Sequence, residues 1–175
     1  MVKTTDLGKI HIYTGDGKGK TTSAFGLALR AIGAGYKVYL IQFMKGQDYS
    51  ELKMLRRLPK LTFKRFGQKS FVHLPAAKQD KILGQKGVAL AKKVLKSRGY
   101  DLVILDEIFV AAFFKLIKYS DIVNLIKVKP KNVELVLTGR KATPEVMKLA
   151  DYVTEMREIK HPYQKGIKAR RGIEN

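Results

Sequence analysis

A glycine-rich segment near the start of the chain combines backbone freedom with positive charge and hydroxyl groups. It consists of Gly15, Asp16, Gly17, Lys18, Gly19, Lys20, Thr21 and Thr22. Glycines at alternate positions permit positive φ angles and let backbone N–H groups approach an anion without interference from a Cβ atom. Successive N–H groups at the start of a helix form an anion-binding site. The segment therefore predicts a phosphate-binding loop, with Lys20 reaching a terminal phosphate and the Thr21 hydroxyl ligating Mg²⁺.

This loop is a variant of the common phosphate-loop pattern, which has a glycine six positions before the lysine. In this chain that position is Thr14. A glycine-rich turn between a strand and a helix can also be a simple connection. That reading explains the glycines, but it does not explain the lysines and threonines that stand beside them in the order that phosphate binding requires.

A pair of carboxylates follows the most apolar strand-like run. Asp106 and Glu107 come directly after Asp101–Leu105, and open α/β sheets bind their ligands at the carboxyl ends of strands. Hard oxygen ligands there would hold Mg²⁺, or Mn²⁺ in its place, directly or through water. Such a pair can also be only a cap for the next helix. Together with the loop, it favours a metal site formed by Thr21, Asp106 and Glu107.

Phosphate binding alone does not name the reaction. Glu107 could activate water as a base in an ATPase, a kinase would need a pocket for an acceptor hydroxyl, and a third option is attack on a carbon atom of the nucleotide. Arg140, which follows another strand-like run, could clamp a phosphate. The chain has no cysteine and its three histidines are dispersed. If a group other than phosphate is transferred, the nucleophile must come from the second substrate.

The elements that must position these residues alternate along the chain. Runs rich in β-branched and aromatic residues predict strands at Lys9–Thr14, Lys37–Phe43, Leu61–Phe66, Asp101–Leu105, Val133–Thr138 and Tyr152–Ile159. Helices are predicted at Lys20–Gly33, Tyr49–Leu58, Pro75–Ser97, Ile108–Lys118, Ser120–Lys127 and Pro144–Ala150. Pro75 and Pro144 fit first-turn positions, while Ser120 and Thr143 fit caps. This alternation predicts an α/β protein with a mostly parallel central sheet of about six strands and helices on both faces, a single-domain P-loop NTPase (RecA-like) fold.

The length and net charge of the chain bear on its domain organisation, its location and its binding partners. The 175 residues suit one domain, 1–175, with a basic, loosely structured tail at 160–175. The start of the chain has no apolar signal-peptide core and no apolar run is long enough to cross a bilayer, so we expect a cytoplasmic protein without a membrane partner. A net charge of +20 attracts polyanions. Because no nucleic-acid recognition motif accompanies the charge, we do not expect nucleic acid to be the main partner.

Beyond these features, the chain resembles the ATP:corrinoid adenosyltransferases of cobalamin biosynthesis and salvage. The likeness begins at Thr14–Gly26, continues through Ala28–Gly35 and includes Gln42-Phe-Met-Lys-Gly46. Further matching segments are Val103–Glu107, Leu137–Arg140, Leu149–Asp151, Glu155–Arg157, Lys160–His161, Gly166–Ala169 and Gly172–Ile173. The resemblance therefore spans nearly the whole chain, and the combined motifs are more specific than the loop alone.

The resemblance implies transfer of the 5′-deoxyadenosyl group of ATP to the cobalt of a reduced cob(I)alamin or related corrinoid, with release of triphosphate. It implies that cobalt attacks C5′, that the loop residues with Lys18 and Lys20 hold the triphosphate, and that Mg²⁺ binds Thr21 and Glu107. Arg30 and Arg140 match family positions and are assigned to ATP. Phe71, in a loop that aligns loosely, is assigned to the corrinoid. A homodimer and a reductase that supplies the cob(I) state are also implied.

Two other hypotheses stay open at the level of sequence. One is a P-loop ATPase or kinase-like enzyme that acts on another substrate with Glu107 as base. The other is a basic protein that binds nucleic acid and uses ATP as a switch. The three differ in their products, because only the first converts ATP and a reduced corrinoid into triphosphate and an adenosylated corrinoid.

Overall fold

A computed structural model of the chain describes residues 7–47, 50–70 and 72–174. The strands are β1 Ile10–Thr14, β2 Val38–Phe43, β3 Leu61–Phe66, β4 Leu102–Asp106, β5 Glu134–Thr138 and β6 Tyr152–Glu155. The helices are α1 Lys20–Gly33, α2 Leu52–Leu55, α3 Lys78–Ser97, α4 Ile108–Phe113, α5 Tyr119–Val128 and α6 Pro144–Met147, followed by a 3₁₀ helix at Pro162–Lys165.

The six strands form one sheet in the order β3-β2-β4-β5-β1-β6, and every neighbouring pair is parallel. Parallel strands are normally covered on both faces, and β4 is buried along its whole length. One face packs against α3, α4 and α5, with Phe43, Phe109 and Leu125 in its core, and the other packs against α1 and α2 around Ala24 and Leu40. The predicted fold class is therefore confirmed.

Parallel pairing places all the strand ends that matter for chemistry on one edge of the sheet. In register, Gln42 at the end of β2 pairs with Asp106 at the end of β4, and Tyr13 next to the end of β1 pairs with Thr138 at the end of β5. Loops that follow these strands therefore converge at the carboxyl edge. This edge carries the site described below.

Several element ends differ from the sequence predictions. Helix α3 begins at Lys78 rather than Pro75, because Ala77 is extended with ψ 151° and the hydrogen-bonded helix starts only beyond it. Helix α4 ends at Phe113, close to Lys115, whose φ of 59° is left-handed. Strand β6 ends at Glu155, which pairs with Thr14, the last residue of its one strand neighbour β1.

The predicted caps divide into one success and one error. The Thr143 hydroxyl accepts a hydrogen bond from the Val146 N–H at 3.4 Å, as a helix cap does. Ser120 instead lies inside α5, whose cap position is Lys118. The Asp121 carboxylate accepts from the Lys118 N–H at 2.8 Å and so fixes the start of the helix one residue earlier.

The helix predicted at 49–58 is reduced to the short α2, and residues 48 and 49 lie outside the described part of the chain.

Candidate nucleotide-binding site

The predicted phosphate-binding loop connects β1 to α1 at the carboxyl edge of the sheet. Gly15 has φ 91° and Gly19 has φ 120°, a left-handed backbone that favours glycine. Glycine is required at position 17 for a different reason. A Cβ atom there would stand 2.7 Å from the carbonyl oxygen of Arg157, which is too close. The glycine spacing of the sequence thus follows from both the turn geometry and the close approach of the segment after β6.

That neighbouring segment braces the loop. The Met156 N–H donates to the Thr14 carbonyl at 2.9 Å, and the Gly17 N–H donates to the Met156 carbonyl at 2.7 Å. The Gly17 amide is therefore engaged within the protein. The segment that follows the edge strand β6 therefore holds the first half of the loop in place at the start of α1.

Lys20 occupies the first position of α1 and is almost fully buried, with 7% of its surface exposed. Its ammonium group donates to the Gly17 carbonyl at 2.6 Å, which folds the side chain back over the loop. Burial lowers the pKa of Lys20, although the carboxylates of Glu107 and Asp16 act in the opposite direction. A buried cation whose hydrogen bond goes to a neutral carbonyl is a favourable place for a phosphate group.

Asp106 lies at the end of β4 and has no exposed surface. One oxygen, Oδ1, accepts from the hydroxyl groups of Thr21 at 2.9 Å and Thr138 at 2.7 Å. The other, Oδ2, accepts from Gln42 Nε2 at 3.0 Å and lies 3.1 Å from the Lys45 ammonium. These four donors, from α1, β5, β2 and the loop after β2, satisfy both oxygens of this buried carboxylate.

Glu107 follows Asp106 and has a left-handed backbone, with φ 61°. Its N–H donates to the Thr138 hydroxyl at 3.0 Å, which fixes the turn. Burial raises the pKa of the Glu107 carboxyl, and the negative charge of Asp106 raises it further, while Lys45 and Lys20 act against this rise. A bound cation would favour the ionised form of such a carboxyl.

Lys45 forms an ion pair with Asp106, and 15% of its side chain is exposed. Burial by itself would lower the pKa of Lys45, but Asp106 and Glu107 outweigh it and the pKa is raised. The side chain therefore stays protonated at neutral pH. Beside it, Oε1 of Gln42 is buried and accepts no hydrogen bond from the described residues.

A cavity of about 800 Å³ opens between the loop and the C-terminal segment of residues 161–174. The loop side is lined by 16–22, with Lys45, Glu107 and Arg140 nearby, and the opposite side includes His161, Tyr163 and Ile167. Two ion pairs span this region. Lys18 lies 3.1 Å from Glu174 and Arg140 lies 3.4 Å from Asp16. The volume falls within the range of small-molecule sites.

Most of the residues that the sequence singled out meet in this cavity. Its described lining includes Asp16, Gly17, Lys18, Gly19, Lys20, Thr21, Thr22, Glu107 and Arg140. Asp106 lies directly beneath and contacts Thr21. Arg30 is not brought to them, because it is in the last turn of α1, about 15 Å along the helix from Lys20, and its assignment to ATP stays a prediction. Phe71 lies outside the described residues.

Three kinds of residue in or below this cavity were not predicted from the sequence. Gln42 and Lys45 belong to the Gln-Phe-Met-Lys-Gly segment, which contributed only to the family resemblance, and Thr138 belongs to the Leu-Thr-Gly-Arg segment. The C-terminal segment, expected as a loosely structured tail, provides a wall of the cavity and contains the 3₁₀ helix. The basic residues and glycines of that segment are the sequence feature from which its position beside an anion-binding cavity could have been predicted.

The fold and the loop define a nucleotide-binding α/β protein of the P-loop class. In agreement, 86% of the chain superposes on 73% of a KaiC-like protein from the archaeon Pyrococcus horikoshii OT3, with a TM-score of 0.57 and 15% sequence identity, a likeness of fold alone. Among the described residues, no helix combines the length and the apolar character needed to span a bilayer.

Sequence comparison identifies the family. The sequence model of the ATP:corrinoid adenosyltransferases BtuR/CobO/CobP matches residues 6–175. Corrinoid adenosyltransferases from a Sinorhizobium species and from Pseudomonas aeruginosa are 34% and 33% identical, over 98% and 95% of this chain and 82% and 83% of theirs. The Escherichia coli K12 enzyme is 32% identical over 95% of this chain and 85% of its own length. The chain belongs to the ATP:corrinoid adenosyltransferase family, whose members are transferases.

Proposed function

We propose that the cavity between the phosphate loop and the C-terminal segment binds ATP for transfer of its 5′-deoxyadenosyl group to the cobalt of a reduced corrinoid. The observation that carries the proposal is that Lys20, Glu107 and Arg140 face one cavity of about 800 Å³ in a chain of this family. Transfer forms a bond from cobalt to C5′ with the electron pair of cob(I), and breaks the bond from C5′ to oxygen. The leaving group is triphosphate.

The role of the protein in this reaction is electrostatic and positional. Lys20 exchanges its bond to the Gly17 carbonyl for a triphosphate oxygen, and Arg140 exchanges its contact with Asp16 in the same way. Lys18 takes part when it leaves Glu174. No side-chain nucleophile is required, because the attacking electron pair belongs to the corrinoid, which agrees with the absence of cysteine.

Mg²⁺, for which Mn²⁺ can substitute, is part of the proposal. The donors fit a hard cation: the Thr21 hydroxyl keeps its lone pairs when it donates to Asp106, and the Glu107 carboxyl lines the cavity. Both oxygens of Asp106 already accept from two donors each. Asp106 is therefore better suited to orient Thr21 than to bind the ion directly. Thr21 and Glu107 would hold the ion, which would neutralise the charge that gathers on the triphosphate.

The family likeness also suggests the partners. We propose a homodimer, a cytoplasmic location and a reductase that delivers the reduced corrinoid. Arg30 and Phe71 keep their proposed contacts with ATP and corrinoid respectively. None of these is needed for the cavity to bind ATP.

The product identifies the reaction. The full chain is incubated with ATP, Mg²⁺ and a chemically reduced corrinoid, and absorbance and phosphate products are followed. We expect triphosphate and a light-sensitive adenosylated corrinoid in equal amounts. Orthophosphate released without corrinoid would overturn the proposal in favour of a P-loop hydrolase.

Lys20→Ala tests the loop assignment in the same assay. The substitution removes a charged hydrogen bond to triphosphate worth about 1.5–3 kcal/mol, which corresponds to roughly a 10–150-fold loss in kcat/KM for ATP. Lys92→Ala, on the exposed side of α3, is the matched control and should leave turnover unchanged. Wild-type turnover by the Lys20 variant would show that the triphosphate binds elsewhere.

A further inference from the structure

A buried threonine at the end of β5 joins the two acidic residues of the candidate site. Thr138 has no exposed surface. Its hydroxyl donates to Asp106 Oδ1 at 2.7 Å and accepts from the Glu107 N–H at 3.0 Å. Because an N–H group can only donate, the single hydroxyl proton is left for the carboxylate of Asp106. The hydroxyl therefore has one orientation, and it ties the backbone of Glu107 to the side chain of Asp106.

The backbone of Glu107 requires such a tie. Its φ of 61° and ψ of 24° lie in the left-handed region, which residues with a Cβ atom rarely adopt. Conformations of this kind persist only where the surrounding structure holds them. A return to the right-handed region would turn the bond from Cα to Cβ in another direction. The left-handed turn thus determines that the Glu107 carboxyl lines the cavity.

The end of β5 has contacts of its own that do not depend on the Thr138 hydroxyl. The Gly139 N–H donates to a carbonyl of β1 at 3.1 Å. A Cβ atom on Gly139, which has φ 133°, would stand 3.2 Å from the Cβ atom of Phe109 in the first turn of α4. Arg140 follows in the lining of the cavity. Loss of the Thr138 hydroxyl should therefore release Glu107 and leave Arg140 in place.

One oxygen of Asp106 aligns both residues to which the proposed function assigns the metal. Oδ1 accepts from the Thr21 hydroxyl at 2.9 Å, and it reaches Glu107 through Thr138. We propose that Thr138 is a positioning residue of the transfer reaction, whose hydroxyl fixes the Glu107 carboxyl relative to the Thr21 hydroxyl. The inference rests on the proposed function for the role of the metal. Loss of a group that orients a metal ligand typically weakens metal binding about 10–100-fold.

The test compares the affinity of the full chain for ATP with Mg²⁺ and with a chelator, by equilibrium dialysis without corrinoid. We expect Mg²⁺ to tighten ATP binding by the wild type. Thr138→Val keeps the shape of the side chain and removes the hydroxyl, so it should lose about tenfold or more of that gain. Its affinity for ATP in chelator should stay unchanged, because Lys20 and the loop amides remain. Thr138→Ser restores the hydroxyl and should recover the gain.

Two control variants separate positioning from a general loss of structure. Thr62→Val makes the same chemical change on β3, where the exposed threonine accepts from the Tyr100 hydroxyl at 3.3 Å. Val136→Ala removes methyl groups from the buried part of β5 and keeps the Thr138 hydroxyl. Urea unfolding should show a loss of stability for Val136→Ala, while both controls keep the wild-type gain from Mg²⁺. If Thr138→Val does not fold, Thr138→Ala replaces it in the comparison with Thr138→Ser.

Three results would overturn the positioning role: a wild-type gain from Mg²⁺ in Thr138→Val, an equal loss in Thr138→Ser, or an equal loss in Val136→Ala. A wild type whose ATP affinity does not respond to Mg²⁺ would overturn it as well. The proposed function fails separately. If the wild type adenosylates no corrinoid but the dialysis gives the expected pattern, the reaction is wrong and the role of Thr138 stands. Adenosylation with an unchanged Mg²⁺ gain in Thr138→Val would refute the role of Thr138 alone.

Discussion

A single buried carboxylate organises the candidate site. Asp106 receives hydrogen bonds from Thr21, Thr138 and Gln42 and an ion pair from Lys45. Each donor comes from a different segment of the chain, so the side chain connects α1, β2, β4 and β5 at the edge where ligand binding is proposed. Removing one partner from a buried charge network leaves the others uncompensated.

Asp106→Asn should therefore destabilise the protein strongly. The amide would turn an N–H₂ group toward donors and leave the Lys45 ammonium without its charge partner, at a cost of about 3–5 kcal/mol. Urea unfolding measures the change. Asp16→Asn is the control, because Asp16 is exposed and its contact with Arg140 is 3.4 Å long, and it should alter stability by less than about 0.5 kcal/mol. Similar losses for both variants would contradict the network.

Glu107 has the opposite effect on stability. Because burial and Asp106 raise its pKa in the folded protein above the ordinary 4.5, the folded state binds a proton that the unfolded state has lost. Stability therefore falls as the pH rises through the interval between these two pKa values, and the penalty persists at higher pH. This loss of stability goes with a position in the lining of the cavity, where the Glu107 carboxyl is available to a ligand.

Glu107→Gln should accordingly be more stable than the wild type at pH 7, with the advantage disappearing as the pH falls toward 4.5 and below. Urea unfolding at a series of pH values, with chelator present, measures the difference. The variant should at the same time lose transferase activity, which separates the functional role from the structural one. Stability curves that run parallel at all pH values would show that Glu107 carries no such penalty.

The sequence identified the charged residues of the site more readily than their partners. Glycine, lysine and threonine in the loop have local reasons for their spacing, and the acidic pair follows a continuous apolar run. Lys45 and Gln42 act through contacts with Asp106, 61 and 64 positions away, and such contacts depend on strand order. Strand order arises from long-range pairing, which periodicity in a single sequence does not encode.

At the scale of elements, α3 packs against β2 through a glycine. A Cβ atom on Gly87 would stand 2.6 Å from Cε1 and 3.1 Å from Cζ of the Phe43 ring. Phe43 is fully buried at the end of β2, directly before the segment that holds Lys45. The helix can therefore approach the sheet closely only because Gly87 lacks a side chain.

Gly87→Ala should destabilise the protein by about 1–3 kcal/mol, since a methyl group would force the ring or the helix to move. Gly26→Ala is the matched control. Gly26 lies within α1, and a methyl group added there would meet no atom within 4 Å, so alanine should stabilise by about 0.5–1 kcal/mol. Thermal unfolding of both variants measures the contrast. A stabilising Gly87→Ala would mean that the helix is not in close contact with Phe43.

Element types followed from the sequence, but several element ends did not. Strand β3 and helix α1 have their predicted bounds. The start of α5 was misplaced because the Asp121 carboxylate binds the Lys118 N–H, so the third helical residue, rather than the serine, determines the cap. Strand β6 stops where β1 offers no further partner, a limit set by tertiary pairing.

For the whole molecule, the cavity of about 800 Å³ lies at the carboxyl edge of the sheet, where the loops after β1, β2, β4 and β5 each contribute to its lining. The C-terminal segment forms a wall of the candidate nucleotide cavity, together with the loop. Its Glu174 accepts hydrogen bonds from Arg170 and pairs with Lys18. The C-terminal segment therefore contacts the proposed phosphate-binding loop, and in the proposed function triphosphate would compete with Glu174 for Lys18.

The net charge of +20 acts over the whole surface, and it predicts how the protein responds to nucleic acid. If the charge serves anionic small substrates, binding to duplex DNA should be non-specific and driven by counterion release. Affinity measured by fluorescence anisotropy should be equal for two duplexes of unrelated sequence. For roughly six to ten phosphate contacts, it should fall about a thousandfold or more between about 50 and 200 mM salt. Retention of tight binding at the higher salt concentration, or preference for one sequence, would contradict this view and support an ATP-dependent nucleic-acid protein.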